Sequence, residues 1–229
     1  VNYSFVVNRG WMLDPKPKRQ RPTHRVVILA NGKFPHHPKP LRKLLEAEVL
    51  VCCDGAIENL SNFNIAPTAI VGDLDSVTEE QKLLFAGKIH LDNDQNTNDL
   101  TKAVKWCISG GYKRIDIVGA TGKREDHTLG NIGLLPSYAR MGAQVEMHTD
   151  TGTIVPLLRP RKLKSYRGQQ VSIFSPNNST NIKTYNLKYP IDNRCIDELW
   201  MGTLNESLGD WFRIDFHPGP LIVYRKYDD

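Results

Sequence analysis

The sequence predicts an α/β N-terminal domain with a mostly parallel sheet, plus an all-β C-terminal sandwich domain. Between residues 25 and 150, short apolar runs alternate with stretches of helical periodicity, the pattern of strands joined by crossover helices. After about Asp150 the helical periodicity fades, and short strand-like segments are separated by turns rich in Ser, Asn, Gly and Pro. Acidic residues also recur just past the apolar runs of the first part, at the edge where open parallel sheets bind ligands.

The elements follow in order. Arg25–Leu29 is an apolar strand, and Asn31 and Gly32 stand where its carboxyl end meets a loop. Pro38 and Pro40 introduce a helix over Leu41–Glu46, and Glu48–Cys53 is a second buried strand ending in Asp54-Gly55-Ala56. A helix from Ala56 to about Asn62 precedes the third strand, Ala69–Val71. Ser76, with Glu79 three residues on, has the spacing of a capping box for the next helix. Lys88–Leu91 is a short strand before the polar block Asp92–Asp99, and Leu100, Ala103, Val104 and Cys107 then recur at helical spacing. Gly110 and Gly111 end that helix. The strand Tyr112–Gly119, the loop Ala120–His127, a helix carrying Leu129, Ile132, Leu134 and Leu135, and the strand Val145–His148 complete the first domain. In the second, Thr153–Leu158, Gln170–Phe174, Trp211–Phe216 and Pro220–Tyr224 are strands. The expected divisions are an arm at 1–24, an α/β domain at 25–150 and a β-sandwich at 151–229.

A chain of 229 residues, 40% hydrophobic and without an apolar run long enough for a membrane span, suits one large or two small cores. The formal charge of +5 lies largely in the proline-rich basic arm and in Arg159–Lys164. Neither run is interleaved with aromatics as a base-stacking platform would be, so the expectation is no nucleic-acid partner and no membrane partner. Cys52, Cys53, Cys107 and Cys195 lack zinc-ligand spacing, and the arm lacks a secretory apolar core. Reduced thiols and a cytoplasmic location are the expectation.

The stretch Val71-Gly72-Asp73-Leu74-Asp75-Ser76 carries the chemistry. On an extended backbone Asp73 and Asp75 point the same way and can share one hard cation such as Mg²⁺; the plain alternative is a turn in which Asp73 bonds its own backbone. Asp54, Asp99 and Asp126 also follow strands, and five converging carboxylates repel strongly unless cations join them. Gln95, Lys123 and Arg124 are donors suited to phosphate oxygens.

Taken together, Cys53–Ala56, Gly72–Ser76, Asp94–Ala103 and Gly119–His127 resemble, in order, the motifs of the thiamine pyrophosphokinase family, and Gly202–Glu206 is similar to its weaker second-domain signature. The resemblance implies a nucleotide-binding catalytic domain, a thiamine-binding β-sandwich and a homodimer with active sites between subunits. It implies pyrophosphate transfer from ATP to the thiamine hydroxyl, giving thiamine pyrophosphate and AMP. Asp73, Asp75 and Asp99 would hold Mg²⁺; Asp54 would bind it through water or orient the hydroxyl, and Asp126 is a second candidate to orient the hydroxyl or act as base. Asn31, Gly32, Gln95, Asn98, Lys123 and Arg124 would face the nucleotide, and Thr203 and Asn205 the thiamine pyrimidine. His127 is a substrate contact or a structural helix-start residue, and Trp200 and Trp211 either wall the thiamine ring or pack in the core. Three positions depart from the family's common residues: Asn98 stands for Thr, Lys123 for Gly, and Leu204 for Ser. A metal-dependent phosphohydrolase and a non-catalytic nucleic-acid- or ligand-binding module are the alternatives from other classes.

Overall fold

Successive side chains of a strand point to opposite faces, so a strand that is apolar throughout must be covered on both sides. This holds for β1 (Arg25–Leu29), β2 (Leu50–Cys53) and β3 (Ala69–Gly72), whose apolar residues are all buried. The computed structural model describes residues 25–63 and 65–228. The expected arm at 1–24 lies outside the described residues.

The N-terminal half alternates strands with α1 (Pro38–Leu45), α2 (Glu79–Leu84), α3 (Asp99–Ser109) and α4 (Glu125–Arg140). With β4 (Ile89–Leu91), β5 (Arg114–Val118) and β6 (Gln144–His148), the parallel part has the order β6-β5-β1-β2-β3-β4. One face packs Val26, Ile28, Val51 and Ile117 against Leu100, Val104, Leu135 and Tyr138 of α3 and α4. The other packs Val27, Leu29 and Ile70 against Leu44 of α1 and against Ile57 and Leu60. Cys52 and Cys53 fall on opposite faces, as adjacent strand residues must.

The sheet does not stop at the second domain. β7 (Gly152–Leu157) pairs antiparallel with β6 and continues the sheet to β13 (Leu221–Lys226), β9 (Gln170–Phe174) and β11 (Asn205–Glu206), ten strands in all. A second sheet of β10 (Asn181–Tyr185), β12 (Trp211–His217) and β8 (Arg161–Lys164) faces this extension. Phe212, Ile214, Ile182 and Leu163 fill the space against Val155, Ile173 and Val223, which makes the sandwich.

Several elements depart from the sequence reading. The helix expected from Ala56 is a 3-10 helix over Asp54–Phe63. α1 begins at Pro38, since prolines in a first turn forfeit no intrahelical hydrogen bond. The capping box of α2 is Thr78 with Gln81 rather than Ser76 with Glu79. Ser76 is occupied elsewhere: its N–H donates to Asp54 Oδ2, 3.3 Å away. Strands β8, β10 and β11 had no alternation long enough to read, and β8 lay hidden in the basic run Arg159–Lys164. Among the described residues no helix is long and apolar enough to cross a membrane.

Candidate active site

The chain lays down β1 to β4 on one side, then returns to place β5 against β1, so the sheet's switch point falls between β1 and β5. Their exits are zipped together: Gly32 N–H donates to Gly119 O and Lys33 N–H to Thr121 O. A Cβ on Gly32 would stand 2.4 Å from the Gly119 oxygen, so only glycine permits this approach. A cleft of about 450 Å³ opens there, within the usual size of small-ligand sites. It is lined by Asn31 and Gly32 just past β1, Asp73 just past β3, Asn98 at the cap of α3, Asp99 and Lys102 of α3, and the loop before α4.

The acids are built from the strand ends upward. Asp54, directly after β2, is only 4% exposed. Its Oδ2 accepts from Ser76 N–H, while its buried Oδ1 has no hydrogen-bond partner. Burial pushes its pKa up; the Ser76 N–H opposes this, and the charges of Asp99 and Asp73 add to the rise. Gly72, between these acids, has no room for a side chain: a Cβ there would lie 2.8 Å from Asp54 Cβ and 3.3 Å from Asp99 Oδ1.

Asp73 and Asp75 do not point the same way, as an extended chain would have them. Leu74 has φ 67°, which turns the backbone, and Asp73 Oδ1 accepts the Asp75 N–H at 3.3 Å. Asp73 faces the cleft, whereas Asp75 is exposed and does not line it. Asp99 opens α3, where its charge is favourable toward the helix dipole. Between Asp73 and Asp99 sits Lys102, with a side chain 2% exposed and Nζ 3.1 Å from Asp99 Oδ1 and 3.7 Å from Asp73 Oδ2. Burial alone would lower its pKa, but the two carboxylates outweigh this and keep it an ammonium. This residue was missed at the level of sequence. The available signal was its place one turn after Asp99, an i,i+3 pair on the same helix face.

On the opposite wall, Lys123 Nζ donates to Asn31 Oδ1 at 3.1 Å, joining two of the expected nucleotide residues. Arg124 lines the cleft and forks onto Asp126, Nε to Oδ1 at 3.1 Å and Nη2 to Oδ2 at 2.5 Å. The guanidinium, helped by the His127 N–H, holds Asp126 at about 2, which makes that exposed carboxylate a weak proton acceptor. Asn98 caps α3: its Oδ1 accepts from Thr101 N–H and its amide donates to Asn131 on α4. Gln95, Thr121, His127, Thr128 and Asn131 also line it.

Thr203 and Asn205 do not line this cleft. Thr203 donates its hydroxyl to Trp200 O, and buried Asn205 exchanges hydrogen bonds with the Tyr189 backbone. Asn205 lies on β11, five strands from β5, or about 24 Å of sheet at about 4.8 Å per step. Leu204 is exposed at φ 55°. Trp200 is 72% exposed and not core-packed, because its short 3-10 turn leaves it outside the sandwich. Trp211 is half-buried under Lys162, whose Nζ is 4.0 Å from the ring centre. The four cysteines are free thiols, and Cys53 reaches the cleft floor.

Among the described residues, the tightest group of metal-ligating types is Asp116, Glu146 and His148, on β5 and β6 away from this cleft. It is filled by the protein's own donors. Arg25 Nη1 is 2.6 Å, Lys43 Nζ 3.0 Å and His148 Nε2 2.9 Å from Asp116, which makes it a structural charge cluster. The cleft instead offers the hard carboxylate oxygens of Asp73 and Asp99, with the unpartnered Oδ1 of buried Asp54 behind them, a donor set that fits a hard divalent ion.

An open α/β sheet with an acidic, cation-walled cleft at its switch point, extended into a β-sandwich, defines a two-domain protein suited to a polyphosphate ligand. The family models for the thiamin pyrophosphokinase catalytic domain and substrate-binding domain match residues 41–147 and 152–224. The chain belongs to the thiamin pyrophosphokinase family. It is 26% identical to thiamine pyrophosphokinase of Bacillus subtilis over 187 residues, covering 76% of this chain and 86% of that protein. It is 31% identical to thiamin pyrophosphokinase 1 of Caenorhabditis elegans over 99 residues, 39% of this chain; the match spans only 40% of the Caenorhabditis protein. Its fold is that of the solved thiamin pyrophosphokinases of Bacillus subtilis (TM-score 0.73, 21% identity, covering 90% of this chain and 100% of that one) and Candida albicans (TM-score 0.73, 18%, 89% and 90%).

Proposed function

We propose that this chain transfers the pyrophosphoryl group of ATP to the hydroxyl of thiamine, releasing thiamine pyrophosphate and AMP. The observation that carries the reading is the pairing, across one cleft, of Asp73, Asp99 and Lys102 on one wall with Lys123 and Arg124 on the other, in a chain of this family. The thiamine oxygen attacks the β-phosphorus, the bond from that phosphorus to the α,β-bridging oxygen breaks, and AMP leaves with that oxygen. The hydroxyl proton passes to a carboxylate or to water.

Such transfers depend on alignment and on stabilising the charge of the phosphoryl oxygens. Asp73 and Asp99 would hold Mg²⁺, which when bound neutralises phosphate charge; Asp75, exposed outside the cleft, would join them only if the turn at Leu74 opened. Asp54, buried behind them with an unpartnered oxygen, would orient a water of the ion or the incoming hydroxyl. Arg124 is suited to fork two phosphate oxygens once it leaves Asp126, and Lys123 to bind one as a point charge. Asp126, held at about 2, suits an orienting role better than that of a base.

Asn205, two residues after Thr203, lies about 24 Å of sheet from the β5 side of the cleft. That separation favours thiamine binding between two copies of the chain, as a homodimer. Free cysteines suit a reducing compartment, which supports a cytoplasmic location. A small-molecule cleft, with the basic strand β8 in the outer sheet rather than at the site, favours neither nucleic acid nor membrane as a partner.

The deciding experiment incubates the pure protein with thiamine, ATP and Mg²⁺ and resolves all products. Thiamine pyrophosphate and AMP in equal amounts are expected. ADP or free phosphate with thiamine untouched would replace the reading with hydrolysis.

A further inference from the structure

A lysine that is 2% exposed, with its ammonium 3.1 Å and 3.7 Å from two carboxylates of a ligand cleft, occupies the place a metal ion would be expected to take. Asp73 and Asp99 bring two negative charges to the cleft wall, with buried Asp54 behind them, and Lys102 returns one positive charge between them. A buried ammonium is stable only beside such partners, and the carboxylates in turn are held by it. Asp73 and Asp99 come from different elements, the β3 exit and the first turn of α3, so their separation is set by what lies between them.

We propose that Lys102 is a resident counter-cation that positions Asp73 and Asp99 and opposes divalent-ion binding until phosphates arrive. The inference rests on the reading that these two aspartates hold the metal. A divalent cation entering the same gap meets a fixed positive charge, so the substrate-free protein binds it weakly. A polyphosphate adds the negative charge that makes both cations tolerable. Lys102 thereby couples metal binding to nucleotide binding. It is a positioning residue, acting through the two carboxylates.

The test is titration of the nucleotide-free chain of 229 residues with Mn²⁺, following free ion by electron paramagnetic resonance. Lys102→Met and Lys102→Gln should bind Mn²⁺ on the order of tenfold or more tightly than the unaltered protein, since a fixed unit charge within a few ångströms is gone. Lys102→Arg, which keeps the charge, should stay near the starting affinity. With α,β-methylene-ATP present, the neutral variants should show a smaller gain in Mn²⁺ affinity than the unaltered protein. A purely structural lysine would leave Mn²⁺ affinity unchanged or weaken it when removed. Either result in the neutral variants, with melting curves showing them folded, overturns the proposal. Asp73→Asn and Asp99→Asn separate the two levels. If they abolish Mn²⁺ binding while Lys102→Met does not tighten it, the lysine proposal alone fails. If they leave binding intact, the metal assignment itself fails.

Discussion

Gly72→Ala would test how tightly the cleft is built. A Cβ at this position stands 2.8 Å from Asp54 Cβ, 3.4 Å from Asp54 Cγ and 3.3 Å from Asp99 Oδ1. Carbon atoms at optimal separation are about 3.5–4.0 Å apart, so the two β-carbons must part by roughly 0.7 Å or more. No side-chain rotation moves a Cβ, and Asp54 is buried, so the shift falls on the backbone where β2 and β3 end. Overpacking of this kind costs about 1–3 kcal/mol. In a chain of this size that lowers the melting temperature by roughly 2–12 °C. Activity should suffer far more, because misplacing catalytic groups by about 1 Å can cost on the order of a hundredfold. Gly133→Ala is the control: it lies in α4 with nothing within 4 Å of its added Cβ, so it should be neutral or slightly stabilising. Thermal melts followed by circular dichroism, with thiamine pyrophosphate formation assayed well below each midpoint, measure both effects. Turnover by Gly72→Ala within threefold of the unaltered protein would refute the argument that this glycine sets the spacing of Asp54 and Asp99.

Other perturbations read different parts of the molecule. Burial pushes the Asp116 pKa up, but hydrogen bonds from His148 and Arg25 and the nearby charges of His148 and Lys43 outweigh it and hold it well below the usual carboxylate range. Between its folded and unfolded values the unfolded chain binds more protons, so stability rises with pH there. The contribution is complete above about pH 4 and is lost as pH falls through the folded value. Asp116→Asn should therefore cost about 2–3 kcal/mol near neutral pH, less than a fully buried pair because Arg25 and Lys43 still reach water, and urea unfolding should show a flatter acid limb. Gly202→Ala places a Cβ 2.0 Å from the Ile173 carbonyl oxygen, a backbone atom that cannot step aside; a loss of about 3 kcal/mol or more, seen as a low melting midpoint, is expected. Arg124→Ala should leave melting unchanged, since both it and Asp126 are exposed, and raise KM for ATP by roughly tenfold or more, as expected for a lost phosphate fork.

Much of this protein was legible in its sequence because the signals are local. Val26–Leu29, Val51–Cys53 and Ala69–Val71 are apolar on both faces, as the strands of a parallel sheet covered on both sides are. The ordered acid motifs pointed to the cleft because every parallel strand delivers its end to the same edge. The sequence also held two overlapping capping boxes, Ser76 with Glu79 and Thr78 with Gln81, and nothing local could choose between them. The choice came from Asp54, 22 residues away, which takes the Ser76 N–H. The turn at Leu74 likewise set Asp73 and Asp75 apart, where strand periodicity alone would align them.

What the tertiary structure alone decided are the contacts between distant segments. The acids needed a counter-charge, but that Lys102 supplies it depends on α3 packing against β3, which brings its ammonium between Asp99 of its own helix and Asp73 of the strand. Continuity of one ten-stranded sheet through both halves depends on the antiparallel pairing of β6 with β7, which composition cannot reveal. The distance from the cleft to Asn205 follows from strand order, a property of the sheet and of no residue in it. Residue types and their spacing determined the chemistry available to this chain; which charges meet was decided by the packing of elements far apart in sequence.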